Sequence, residues 1–205
     1  MQALRKIYAQ FGEPRGFGGW LAGRIMFYRP SNRARARWAV SLLDVQPGDD
    51  VLDIGFGPAY STQLIAERLK QGRVVGVDRS KLMVRSAARR LRRYLRAGTA
   101  TLVSTDIRTL PRFDVSFDKV LAINVAQFLG DDLGTVLALL RARMTPGGRI
   151  AIAVQPRERG ATAAAAQVEG SRLSGALEGA GFKRVESSFN ASLGSVPGVC
   201  VVAVA

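Results

Sequence analysis

The chain has 205 residues, 47% of them hydrophobic and 22% charged, enough for one compact core and too short for two large domains. Histidine is absent, which excludes Ser-His-Asp and Cys-His hydrolysis, His-ligated zinc and any imidazole acid-base step. The formal net charge is +14, and because only Lys6, Lys70, Lys81, Lys119 and Lys183 among the 30 basic residues are lysine, 25 are arginine; this surplus suits non-specific polyanion adhesion, although the arginines are scattered from Arg5 to Arg184.

Residues 1–16 mix Arg5, Lys6, Glu13 and Arg15 among apolar residues and lack the continuous apolar stretch of a signal peptide. No apolar run approaches the ~20 residues that span a bilayer, so a cytoplasmic protein without a membrane span is expected. The sequence sets no oligomeric state. A helix-like Leu4 to Phe11 leads into a loop with Gly12, Gly16, Gly18 and Gly19 around Phe17 and Trp20, then a helical pattern from Ser31 to Leu43 with Ser31 or Asn32 as its N-cap. Residues 1–46 are expected to form a short helical lid on a domain spanning 47–205.

From there, short β-branched runs alternate with amphipathic stretches. Asp50 to Ile54, Arg73 to Val77, Thr101 to Ser104, Lys119 to Ile123 and Arg149 to Val154 are predicted strands. Tyr60 to Lys70, Ser80 to Arg96 and Asp132 to Met144 are predicted helices. Such alternation implies a parallel sheet with helices on both faces. Ala163 to Ala180 is one more predicted helix, closed by Gly181, before strands Phe182 to Phe189 and Val199 to Val204. The connection Asn190 to Gly198 is too short for a helical crossover, so these last two strands are expected to pair antiparallel. The expected fold is therefore α/β, a doubly wound, mostly parallel sheet of seven strands with a C-terminal antiparallel hairpin. Cys200 falls in the final strand and is read as a core residue.

The segment Pro47-Gly48-Asp49-Asp50-Val51-Leu52-Asp53-Ile54-Gly55-Phe56-Gly57-Pro58-Ala59 is a turn, a buried strand and a glycine-rich loop opening a helix. Gly55 and Gly57 permit unusual dihedrals and close approach to a ligand. Asp78, ending the second strand, offers two acceptor oxygens to paired ribose hydroxyls. Those features also suit NAD(P), but Pro58 has no N–H to give a pyrophosphate, and Tyr60 stands where the dinucleotide pattern places its third glycine.

With Val74 to Ser80, Asp106, Phe117 to Val120 and Leu140 to Arg149, the series resembles the class I, Rossmann-like S-adenosylmethionine-dependent methyltransferases over about residues 47–190. The resemblance implies S-adenosyl-L-methionine as cofactor. It places Asp53 and the loop Gly55, Phe56, Gly57 and Ala59 against the methionine part, Asp78 with Arg79 beside it at the ribose, Met83 and Ile107 on the adenine faces, and Asp106 at the adenine amino group. Asn124 would stand where the transferable methyl emerges. Ala59 occupies a place where the family's loop usually carries a third glycine, so the alanine either narrows the site or opposes a positive φ.

The aromatic residues Tyr8, Phe11, Trp20 and Tyr28, with Gln127, are candidate contacts to a small-molecule methyl acceptor. No residue stands out as a catalytic base, and an in-line displacement on a sulfonium methyl needs alignment more than acid-base help. Asn124 to Phe128 lacks the prolines that methyltransferases acting on base amino groups often carry here. Asp131 and Asp132 precede a helical run and are read as its cap, with no metal expected. An RNA methyltransferase or nucleic-acid-binding module using the arginines, such as the row Lys81, Arg85, Arg89 and Arg93, is an alternative; a cofactor-binding protein without transferase activity is another.

Overall fold

A computed structural model describes residues 30–125, 128, 130, 132–156, 161–194 and 196–205. In chain order it contains α1 (Pro30–Leu43), β1 (Asp50–Ile54), α2 (Tyr60–Ala66), β2 (Arg73–Asp78), α3 (Lys81–Arg90), α4 (Arg92–Arg96), β3 (Ala100–Ser104), β4 (Phe117–Ile123), α5 (Leu133–Arg141), β5 (Met144–Val154), α6 (Ala163–Gly179), β6 (Lys183–Asn190) and β7 (Gly198–Val204). Among the described residues no helix is long and apolar enough to cross a membrane.

The seven strands form one sheet in the order β3-β2-β1-β4-β5-β7-β6. The first five pair in parallel, while β7 lies antiparallel to both β5 and β6. Because side chains alternate across a strand, Val51, Leu121, Ala151 and Cys200 face one layer with Ala39, Val40 and Leu43 of α1 and Ile65 of α2. Leu52, Val120, Ile150 and Val201 face the other, with Leu137 and Leu140 of α5 and Leu173 and Leu177 of α6. A fully buried leucine of this kind contributes roughly 1.5–3 kcal/mol.

Several elements differ from the expectations. Helix α1 already includes Pro30, so neither Ser31 nor Asn32 caps it; the Asn32 side chain accepts instead from Arg35 Nη1 at 3.0 Å. With Ala39, Val40 and Leu43 fully buried, helix α1 lays its apolar stripe on the sheet; residues 1–29 of the expected lid lie outside the described residues. Helix α2 stops at Ala66, short of Lys70, as the N–H groups of Lys70, Gln71 and Gly72 turn to the Pro47 carbonyl.

The helix expected over 80–96 is broken at Leu91 (φ −89°, ψ 12°). Leu91 turns inward onto Phe56, Met83 and Ala87, while Lys81, Arg85 and Arg89 stay exposed, sparing them low-dielectric like-charge contact. Arg93 leaves that row for α4, where it pairs with Glu67 at 3.5 Å and lies over the Tyr94 ring at 4.5 Å. Helix α5 ends at Arg141 because Met144 already pairs with Phe117 as the start of β5, which therefore begins before Arg149. Gly181 closes α6 as expected, at φ +88°, with its N–H on Glu178 and that of Phe182 on Leu177.

Candidate functional site

From β1 the chain crosses to β2 on one side, while β4 adds to β1 on the other. The C-terminal ends of β1 and β4 thus flank a topological switch point, where open α/β sheets bind ligands. Here Gly55 (φ +63°) leaves β1 with its N–H on the Val77 carbonyl at 2.7 Å. A Cβ at Gly55 would come within 2.6 Å of Val125 Cγ2. Gly55→Ala is therefore expected to lower stability by about 2 kcal/mol, from the left-handed backbone and the close contact together. Urea unfolding checks this, and an unchanged midpoint would contradict the geometry.

The next residues form a tight turn, with the Ala59 N–H on the Phe56 carbonyl at 2.8 Å. Gly57 has φ +52°, and a Cβ there would meet nothing closer than a backbone oxygen at 3.9 Å, so this side of the turn opens onto space. Ala59 is itself left-handed (φ 62°, ψ 30°), 1% exposed and the N-cap of α2. The alanine does not exclude the positive φ; it adopts it at a cost of about 1–2 kcal/mol.

Two carboxylates fix this loop. Asp53, 1% exposed, accepts from Ser61 Oγ at 2.8 Å and Thr62 Oγ1 at 2.7 Å, tying the start of α2 to β1. Burial is the main reason its carboxyl is pushed up to about 6, with the Thr62 and Ser61 hydrogen bonds opposing and the Asp78 charge adding. An acid raised on folding binds more protons folded than unfolded between its ordinary 3.8 and about 6, so its contribution to stability is lost as pH rises through that window. Asp53→Asn removes this titration. Its stability should fall less steeply with pH than the wild type's over that window, by up to about 1.4 kcal/mol per pH unit. Urea melts at a series of pH values test this, and parallel curves would refute it.

Asp78, at the end of β2, accepts from the Gly57 N–H on Oδ2 at 2.8 Å and from the Ser80 N–H on Oδ1 at 2.9 Å. Burial pushes its carboxyl up, against those two N–H donors and the Arg79 charge. One side chain thus joins the glycine-rich turn to the start of α3. Asn124, left-handed at φ 52° after β4, accepts on Oδ1 from the Gln155 N–H at 2.9 Å, tying the ends of β4 and β5 together.

A family model described as "Methyltransferase domain" matches residues 51–148. The "Uncharacterized methyltransferase YdaC" of Bacillus subtilis (strain 168) is 31% identical over 169 residues, spanning 82% of this chain and 90% of that protein. The chain belongs to the class I S-adenosylmethionine-dependent methyltransferases. This methyltransferase is also similar to the "Trans-aconitate 2-methyltransferase" of Azoarcus sp. (strain BH72), 40% identical over 122 residues, which are 58% of this chain and 45% of that one. In fold it is similar to the "SAM dependent methyltransferase from Aquifex aeolicus", at TM-score 0.65 and 18% identity, covering 98% and 97% of the two chains.

The cofactor of this methyltransferase is S-adenosylmethionine. The residues present fit it: Gly57 opens onto space, and the half-buried Asp78 holds acceptor oxygens beside the loop. The structure gathers Asp53, the 55–59 loop, Asp78, Arg79, Asp106, Ile107 and Asn124 at strand ends on one edge of the sheet. It does not give them equal access. Phe56, Met83 and Ile107 are 4%, 2% and 4% exposed and belong to core clusters, whereas Arg79 is exposed. Asp106 caps the short turn 107–109, accepting from the backbone and Nε of Arg108 at 3.0 Å.

Asp132 is the N-cap residue of α5, as expected, although its side chain makes no cap bond and pairs instead with Arg108 at 3.4 Å. Cys200 is fully buried and its thiol is pushed up to about 12 by burial, as a core residue requires. Tyr8, Phe11, Trp20, Tyr28, Gln127 and Asp131 lie outside the described residues. Sequence reasoning missed Ser61, Thr62, Ser80, Arg90 and Gln155. The hydroxyl pair Ser61-Thr62 in the first turn after the loop was the one visible signal, since such residues favour helix starts.

Proposed function

We propose that this methyltransferase transfers the methyl group to a small-molecule acceptor at the switch point between β1 and β4. The proposed cofactor contacts are Asp53, Gly55, Phe56, Gly57, Ala59, Asp78, Arg79, Met83, Asp106, Ile107 and Asn124. The observation that carries the assignment is the Asp78 carboxylate bridging the Gly57 and Ser80 N–H groups. Each of its oxygens has a second lone pair for a ribose hydroxyl. Phe56, Met83 and Ile107 then act mainly by shaping the wall behind the loop.

Bound S-adenosylmethionine supplies a sulfonium methyl with its own leaving group. What this chain's residues contribute is alignment of the acceptor for in-line attack and exclusion of water. The acceptor side is assigned to the N-terminal aromatics Tyr8, Phe11, Trp20 and Tyr28 with Gln127. The "trans-aconitate 2-methyltransferase" relatives support a small-molecule acceptor by their names. Against a nucleic-acid acceptor, the 81–96 stretch holds a single aromatic residue, Tyr94, and the Arg93 guanidinium lies over one face of its ring at 4.5 Å.

The test offers methyl-labelled cofactor with a soluble metabolite extract or with total RNA. Label in the small-molecule fraction supports the reading. Label in RNA overturns it in favour of the arginine-rich surface, and tight cofactor binding with no label anywhere marks a binding protein without transferase activity.

A further inference from the structure

Arg90 ends α3, in the run whose outward members Lys81, Arg85 and Arg89 are exposed. Its guanidinium turns the other way. Nη1 donates to the Pro58 carbonyl at 2.9 Å, a part-buried bond between residues 32 apart in sequence. Across the same turn, Asp78 Oδ2 holds the Gly57 N–H at 2.8 Å. The turn is thus held at two points by charged groups, Asp78 just before α3 and Arg90 at its end, and charge-assisted bonds of this kind are the stronger ones.

The held carbonyl belongs to the peptide that leads into Ala59, at φ 62° and ψ 30°. Glycine rests in that region at no steric cost, whereas alanine tends to leave it. If Ala59 left it, the Pro58-Ala59 peptide would rotate relative to α2 and carry the carbonyl off the guanidinium. We infer that Arg90 is a positioning residue for the cofactor: its bond to Pro58 holds the 57–59 turn in binding shape and makes alanine tolerable at a left-handed position that glycine takes at no steric cost. This rests on the reading of the loop as the cofactor site. It also gives one member of the arginine-rich run a role that neither a solvated face nor a nucleic-acid surface supplies.

The experiment measures S-adenosylhomocysteine affinity by calorimetry for the wild type, Arg90→Met, Arg90→Lys, Ala59→Gly and Ala59→Gly with Arg90→Met. It also measures amide hydrogen exchange at Ala59 in the cofactor-free protein. Arg90→Met is expected to raise Kd about tenfold and Arg90→Lys to recover part of that through its ammonium, while Ala59→Gly serves as the background in which Arg90→Met is repeated. In the Ala59→Gly background, Arg90→Met should raise Kd by no more than about threefold, because glycine keeps the positive φ without help.

Exchange at the Ala59 amide should quicken about tenfold in Arg90→Met. A purely architectural Arg90 would lower Tm yet give the same Kd ratio in both backgrounds, and that result, or an unchanged Kd in Arg90→Met, overturns the inference. If the wild type does not bind S-adenosylhomocysteine, the cofactor-site reading fails. The clamp is then judged by exchange alone, with faster exchange supporting it and unchanged exchange overturning it.

Discussion

Asp78→Ala is expected to weaken S-adenosylmethionine binding by about 3 kcal/mol, roughly a hundredfold in Kd. The truncation acts twice. It removes the acceptor oxygens assigned to the ribose hydroxyls, and it releases the Gly57 and Ser80 N–H groups, which the same carboxylate holds at 2.8 and 2.9 Å. The glycine-rich turn and the start of α3 then lose their common anchor, so part of the loss is the cost of ordering the loop on binding. Asp78→Asn separates the two parts. An amide can accept one N–H through its oxygen but presents an NH₂ to the other, so an intermediate loss is expected. Calorimetry checks both variants, and a wild-type affinity in Asp78→Ala would remove this residue from the cofactor site. The same carboxylate repels a 2′-phosphate, so NADPH should show no measurable binding.

Removing residues 1–28 should reduce methyl transfer at least about a hundredfold while leaving cofactor affinity within about threefold. Helix α1 begins at Pro30 and is anchored by fully buried Ala39, Val40 and Leu43. The bonds of Asp53 to Ser61 and Thr62, of Asp78 to Gly57 and Ser80 and of Arg90 to Pro58 all lie within residues 53–90. The truncation therefore leaves these bonds and the buried residues of α1 in place. It removes Tyr8, Phe11, Trp20 and Tyr28, the residues assigned to enclosing the acceptor, and with them alignment and exclusion of water. Full activity in the truncated protein would exclude them as the acceptor site. Loss of cofactor binding together with a lowered Tm would show instead that this segment supports the core.

The parallel start and antiparallel finish of the sheet were legible because they depend on local quantities. β-branched runs mark buried strands, and the connection from Asn190 to Gly198 is too short for anything but a hairpin-like return. The loop 55–59 and Asp78 were legible for a related reason: a strand end, two glycines and an acidic residue at the next strand end form a pattern whose spacing the fold itself dictates.

What the tertiary structure alone decided lies where one element meets another far along the chain. Helical periodicity in 31–43 announced an apolar stripe but not that the sheet would cover it with Val51, Leu121 and Ala151. The run 80–96 read as one helix, and only the demand of Phe56, Met83 and Ala87 for Leu91 breaks it. The sequence shows an alanine at 59. Its left-handed backbone, the Arg90 bond to Pro58 and the grip of Ser61 and Thr62 on Asp53 follow from the crossing of α2 and α3 over β1 and β2. Propensity and period act over a few residues, whereas these contacts are fixed by how layers pack, so no local pattern carries them.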